Sequence, residues 1–274
     1  MVGATRGLLL VGCGKMGGAL LSGWLTGVAA PRPIHVVEPH AASITPYRGR
    51  REVYPHLALD TVPAEFAPAV VVFATKPQGM ETIVPAYRRF VGGNTVVLSI
   101  AAGRTIGFLA THLGGDAAIV RAMPNTPAAI GRGISVAVAD PRVTAAQRGL
   151  CDALLAAVGE VGWVDDERLI DPVTAVSGSG PAYVFLLVEC MADAGVDAGL
   201  PPDLAMRLAR ATVSGAGELL HRDPSPAATL RQNVTSPGGT TAAALAILMA
   251  GDGMKPLFAR AVAAATRRSR ELAG

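Results

Sequence analysis

Three cysteines, Cys13, Cys151 and Cys190, are all that this 274-residue chain contains. They lie far apart and form no C-x-x-C pair, which excludes a disulfide framework and a cysteine-based zinc site. They read as the reduced thiols of a cytoplasmic protein. Aromatic residues make up only 4% and no basic run is interleaved with them, so nucleic acid is not an expected partner. No apolar run approaches the roughly 20 residues that cross a bilayer, so no membrane partner is expected either. Leu10-Val11-Gly12-Cys13 resembles a lipoprotein cleavage site, but its apolar core is shorter than the roughly 7–15 residues of a signal peptide. The five histidines (His35, His40, His56, His112, His221) fall outside every motif. No carboxylate pair, metal-ligand cluster or Ser/His/Asp set coincides with a candidate turn, so no metal is expected.

What is present is a half-hydrophobic chain with a net charge of +3, long enough for two modest domains. Residues 1–165 alternate short apolar runs with helical patterns, the signature of a parallel sheet built from βαβ units. Strands are expected at 8–11, 33–38, 70–74, 95–100, 118–121, 134–138 and 161–164, with a helix from about Thr144 to Val158. After Asp165 the strand patterns vanish. Ala/Leu-rich helices are expected at about 167–195, 202–221, 240–250 and 255–272, punctuated by Pro201-Pro202, Asp223-Pro224-Ser225-Pro226 and Ser236-Pro237-Gly238-Gly239. The fold class is therefore α/β: a dinucleotide-binding Rossmann-type domain over 1–165, then an all-helical domain over 166–274. Helices so apolar and so poor in charge call for a partner surface, and we expect a homodimer or larger assembly through this half.

The first strand breaks into Gly12-Cys13-Gly14-Lys15-Met16-Gly17. In this spacing the first glycine permits the tight turn, the second lets a pyrophosphate approach the backbone, and the third lets the next helix pack close. Glu38 ends the second strand about 20 residues further on, where an acid can accept hydrogen bonds from the adenosine ribose. It leans toward NAD(H), with Arg48, Arg50 and Arg51 close enough in sequence to accommodate a 2′-phosphate instead. Ligands of open parallel sheets bind beyond the strand carboxyl ends, which adds the turns Thr75-Lys76-Pro77, Ala101-Ala102-Gly103 and Met123–Pro127. Lys76, one of only three lysines, reads equally as a solvated strand end. Ser236-Pro237-Gly238-Gly239-Thr240-Thr241 precedes a helix and suits a small anion such as a carboxylate, or serves simply as its cap. Ser177–Tyr183 interrupts a helical run with residues small enough for close packing.

These stretches together resemble pyrroline-5-carboxylate reductases: Gly-Cys-Gly-Lys-Met-Gly (12–17), Thr-Lys-Pro (75–77), Ser-Ile-Ala-Ala-Gly (99–103), Arg-Ala-Met-Pro-Asn-Thr-Pro (121–127), Ser-Gly-Ser-Gly-Pro-Ala-Tyr-Val-Phe (177–185) and Ser-Pro-Gly-Gly-Thr-Thr (236–241). Lys15 stands where that family usually has Asn, and Thr75 where Val is common. The resemblance implies reduction of (S)-1-pyrroline-5-carboxylate to L-proline with NADPH or NADH, often with preference for NADPH, which Glu38 opposes, by a homodimer whose helical domain helps complete the neighbouring subunit's site. It implies cofactor contacts at Gly12, Gly14, Lys15, Met16, Gly17, Glu38, Ala74, Thr75, Lys76, Pro77, Ala101, Met123 and Pro124. Substrate contacts are implied at Asn233, Ser236, Gly238, Gly239, Thr240 and Thr241, with Thr241 as the catalytic partner of the substrate nitrogen. A 3-hydroxyacid dehydrogenase would need a lysine acid–base in the first long helix of its second domain, and Ser177–Met191 has none. A non-catalytic NAD(P)-binding redox sensor would have no use for the second anion site.

Overall fold

Leu8–Val11 (β1), Ile34–Val37 (β2), Val70–Phe73 (β4) and Val96–Ser99 (β5) bury every residue, as strands covered on both faces do. With β3 (Val53–His56), β6 (Ala118–Met123), β7 (Gly133–Ala139) and β8 (Gly159–Trp163) they form one sheet in the order β3-β2-β1-β4-β5-β6-β7-β8. The computed structural model describes residues 6–27 and 30–273; residues 1–5 and 274, the extremes of the two expected domains, and 28–29 lie outside it. The chain divides into two compact units, Met1–Gly178 with Ala265–Gly274, and Ser179–Ala264.

In the first unit, alternate strand residues feed two cores. Leu8, Leu10, Ile34, Val36, Val70, Val72, Val96 and Leu98 pack under Leu20, Leu21 and Trp24 of α1 (Lys15–Thr26) and under Leu154 and Leu155. Leu9, Val11, Val71, Phe73 and Val97 pack under Met80, Val84, Tyr87, Leu109 and Leu113. Each such side chain contributes about 1.5–3 kcal/mol on burial. Trp24 Nε1 donates to Leu154 O at 2.8 Å, so its one polar atom is satisfied inside. Besides α1, this unit holds α2 (Ala41–Ile44), α3 (Met80–Ile83), α4 (Ile106–Leu113), α5 (Ala145–Ala156) and α6 (Ile170–Val173). Thr144 caps α5 through a reciprocal capping box with Gln147, which is why the helix begins where the sequence places it.

Several details depart from expectation. β3 was not foreseen, because Val53-Tyr54-Pro55-His56 is short and carries a proline; it pairs parallel to β2 at the sheet edge, where Pro is tolerated. β7 runs antiparallel to β6. The connection Pro124–Arg132 is shorter than the dozen or so residues a parallel crossover needs, so the chain reverses instead. The helix expected from about 167 is interrupted where the small residues lie: α6 passes into a π-helical turn at Thr174–Gly178, Ser179 bends, and a new helix starts at Gly180 with Pro181 in its first turn. By length and composition alone the helical stretch Glu167–Asp197 is long and apolar enough to cross a membrane, a length not expected of any apolar run here.

The second unit is helical. α7 (Gly180–Asp197) and α8 (Pro202–Arg222) pack together through small residues, with Ala192, Ala205 and Ala209 buried. A Cβ on Gly195 would touch Ala205 Cβ at 3.2 Å. α9 (Ala227–Asn233), not expected from the sequence, precedes α10 (Thr240–Leu248), and α11 (Met254–Ala273) belongs to this unit only as far as Ala264.

Candidate active site

The sheet order reverses between β1 and β4, and the turns leaving these two strands meet there. Val11 O accepts from Ala74 N at 2.8 Å, and Phe73 O from Ile100 N at 3.0 Å. These bonds carry the parallel ladder beyond the strand ends and align Gly12, Ala74 and Ala101 along the carboxyl edge. Gly12 has φ +92°, and a Cβ there would stand 2.8 Å from Ala74 O. A Cβ on Gly17 would collide with Gly12 O. Only glycine serves at either position. Gly14 has nothing within 4 Å of where its Cβ would be, so the space above it is open. α1 begins here with no side-chain cap and no acid in its first turn, leaving its N-terminal amides for an anion.

Glu38 closes the other side of this turn. Its Oε2 accepts from Cys13 N at 2.8 Å, and its Oε1 from His40 N at 2.9 Å, with His40 Nδ1 also 2.9 Å away. Burial works to raise its pKa, but these hydrogen bonds together outweigh it and hold the carboxyl below the usual range. Burial, with Glu38 adding its repulsion, pushes the Cys13 thiol up to about 11, so Cys13 is no nucleophile at neutral pH. His40 was assigned to no motif, yet it touches a predicted site residue; its spacing two residues after Glu38 was the available signal. Arg48, Arg50 and Arg51 are exposed and make no side-chain hydrogen bond or ion pair among the described residues.

The Thr75 hydroxyl is buried with no partner, a cost of about 1–3 kcal/mol that a bound group with a polar atom would relieve. The open space at Gly14, the free amides of α1 and this orphaned hydroxyl lie on connected turns and fit an extended dinucleotide. Lys15 and Lys76 are exposed, Met16 and Pro77 half-buried, and Ala101 and Pro124 buried. Met123 ends β6, where a Cβ on Gly178 would meet its Cε at 2.5 Å.

Two supports of these turns escaped the sequence. Asn125 accepts from Ile134 N at 3.0 Å and donates to Ser177 Oγ at 3.2 Å, tying the Met123–Pro127 turn to β7 and to the π-helical turn. Glu167 Oε1 accepts from the buried Arg121 at 2.8 Å and from Ile106 N at 2.8 Å, so one carboxylate neutralises an inward arginine and caps α4. Both pairs lie more than forty positions apart in the chain, beyond any local pattern.

The remaining predicted residues belong to the second unit. Gly238 has φ +71° and Gly239 N donates to Ser236 O at 3.1 Å, closing a turn onto α10. A Cβ on Gly239 would stand 2.5 Å from Ser236 Oγ. α10 has no side-chain cap and no acid in its first turn, and the hydroxyls of Thr240 and Thr241 have no hydrogen-bond partner among the described residues. Asn233, the last residue of α9, is exposed. The hydroxyls of Thr240 and Thr241 thus stand at a helix N-terminus that has no side-chain cap.

Residues 167–272 match the pyrroline-5-carboxylate reductase dimerisation domain. A pyrroline-5-carboxylate reductase from Pseudomonas aeruginosa is 38% identical over 274 residues, 98% of each chain. The chain belongs to the pyrroline-5-carboxylate reductase family. The solved structure of a pyrroline-5-carboxylate reductase from Coxiella burnetii superposes with a TM-score of 0.89 at 32% identity, covering 98% of this chain and 99% of that one. A Plasmodium falciparum pyrroline carboxylate reductase with NADP bound superposes with a TM-score of 0.80 at 27% identity, covering 98% of both. The family read from six motifs is thereby borne out, and with it the Rossmann-type sheet followed by helices; the hydroxyacid dehydrogenase and sensor readings are not favoured.

Proposed function

We propose that this protein reduces (S)-1-pyrroline-5-carboxylate to L-proline with NADPH or NADH. Membership of the reductase family over nearly the whole chain carries this reading. A nicotinamide dinucleotide supplies the hydride when bound. Gly12, Gly14 and Gly17 leave room for its pyrophosphate, the first-turn amides of α1 with Lys15 and Met16 receive the charge, and Glu38 accepts from the adenosine ribose. Ala74, Thr75, Lys76, Pro77, Ala101, Met123 and Pro124 line the nicotinamide side, where the Thr75 hydroxyl finds the partner it lacks.

The amides at the start of α10 and the hydroxyls of Ser236 and Thr240 hold the substrate carboxylate, with Gly238 and Gly239 keeping the turn open and Asn233 beside it. Thr241 Oγ1 accepts from the ring N–H of the protonated imine. The substrate is already activated: a protonated cyclic imine accepts hydride at carbon and becomes a neutral amine, so no oxyanion has to be stabilised. These residues act by positioning, holding the reacting carbons about 3–3.5 Å apart. Helices of the 166–274 region form the homodimer or larger assembly, residues 1–165 forming the dinucleotide-binding domain, and the protein works in the cytoplasm.

Following nicotinamide absorbance at 340 nm with the five-membered pyrroline carboxylate and the six-membered piperideine carboxylate tests the reading. Turnover of the five-membered ring, faster than of the six-membered one, is expected. Cofactor binding without turnover of either ring would contradict it.

A further inference from the structure

We propose that Glu38, held by the backbone of Cys13 and His40, makes this enzyme select NADH over NADPH. The inference rests on the cofactor site of the preceding reading and adds which of the two dinucleotides that site prefers.

Glu38 N donates to His56 O at 2.9 Å, so the residue continues β2 past its end and its carboxylate is delivered to the carboxyl edge beside the glycine turn. The residue is 7% exposed. Its two oxygens meet Cys13 N, His40 N and His40 Nδ1 at 2.8–2.9 Å. Such anchoring fixes both the rotamer and the place of the negative charge, and it leaves part of the carboxylate's roughly four acceptor sites open. A ribose hydroxyl, as a donor, suits the remaining capacity. A 2′-phosphate brings about −1.5 to −2 charge and only acceptor oxygens, so it would face a carboxylate that cannot swing away without abandoning two backbone amides.

The counter-charge that could reverse this preference is missing from the contacts. Arg48, Arg50 and Arg51 make no side-chain bond or ion pair among the described residues, and none reaches Glu38. Arg32 is engaged with Glu52 at 3.3 Å. Among the described residues His40 is the one side chain hydrogen-bonded to the carboxylate, and its ring is already engaged there. A guanidinium stacked beside the adenine, the usual means of accepting a 2′-phosphate, would have to leave solvent and neutralise Glu38 as well.

The test compares binding of ADP-ribose with that of 2′-phospho-ADP-ribose by titration calorimetry, which removes the nicotinamide and needs no turnover. The wild-type protein is expected to bind ADP-ribose at least about tenfold more tightly, and Glu38→Gln to bring the two within about threefold while melting as a folded protein. NADH and NADPH turnover with pyrroline-5-carboxylate should show the same order. Equal or tighter binding of the 2′-phosphorylated probe by wild type overturns the proposal and leaves the reductase reading standing. A preference unchanged in folded Glu38→Gln also overturns it, since the selectivity then lies elsewhere. If Glu38→Gln fails to fold, the wild-type ratio decides alone. Binding of neither probe would overturn the cofactor site itself.

Discussion

At the level of single residues, some glycines keep the fold and others keep room. Gly17→Ala drives a Cβ into Gly12 O, and we expect a loss of about 1–3 kcal/mol in urea unfolding. A Cβ on Gly14 meets nothing within 4 Å, so Gly14→Ala should melt close to wild type while dinucleotide affinity falls at least about tenfold by calorimetry. The reverse pattern would contradict the assigned roles. Thr241→Ala removes one hydrogen bond to a nitrogen that carries charge, about 1.5–3 kcal/mol, so kcat/KM should fall by about tenfold to a hundredfold. Near-normal turnover would end its catalytic role. The sequence reveals residues of this kind well, because glycine spacing and paired hydroxyls are local. It does not reveal that Glu38 would be anchored through Cys13 N, since that bond depends on two strand ends lying side by side.

Between elements, long-range ties matter more than local pattern. Asn125 joins the turn after β6 to β7 and to the π-helical turn through two hydrogen bonds, and Asn125→Ala should cost about 1–2 kcal/mol in chemical unfolding by removing both. The edge pair β2–β3 carries a pH dependence. His35 Nδ1 lies 2.8 Å from His56 Nε2, inside a stack with Tyr54 and Phe66. Burial first, and repulsion from His56 second, push His35 down to about 4, and burial lowers His56 as well. The unfolded chain therefore binds more protons than the folded one between the ordinary histidine value near 6.5 and about 4. Stability should be full above that window and fall as pH drops through it. Thermal melts from pH 7 to 4 should show this decline, with a shallower slope in His35→Gln; parallel slopes would contradict it. This cluster joins β2, legible from its aliphatic run, to β3, which Pro55 disguised as a turn. α9 escaped for a similar reason: seven residues between Pro226 and the Ser236 turn offer too little periodicity to read.

For the whole molecule, the sequence conveyed a parallel-dominated sheet followed by helices because strand patterns fill the first part and disappear from the second. It did not reveal that the break at the Ser/Gly stretch takes the form of a π-helical turn over Thr174–Gly178 leading into α7. That helix exposes Phe185 at 62% and Leu186 at 57%, and Ile247 of α10 stands at 75%. These lie within the region matching the family's dimerisation domain, so light scattering should find a dimer or larger species, and Phe185→Glu should shift it toward monomer. A monomeric wild type would contradict the assigned assembly. Hydride delivery to the imine carbon of a cyclic imino acid is checked by incubating the protein with pyrroline-5-carboxylate and NADH deuterated at both C4 positions and weighing the product by mass spectrometry. Proline carrying one deuterium at the former imine carbon is expected. Oxidised cofactor without labelled proline would contradict it.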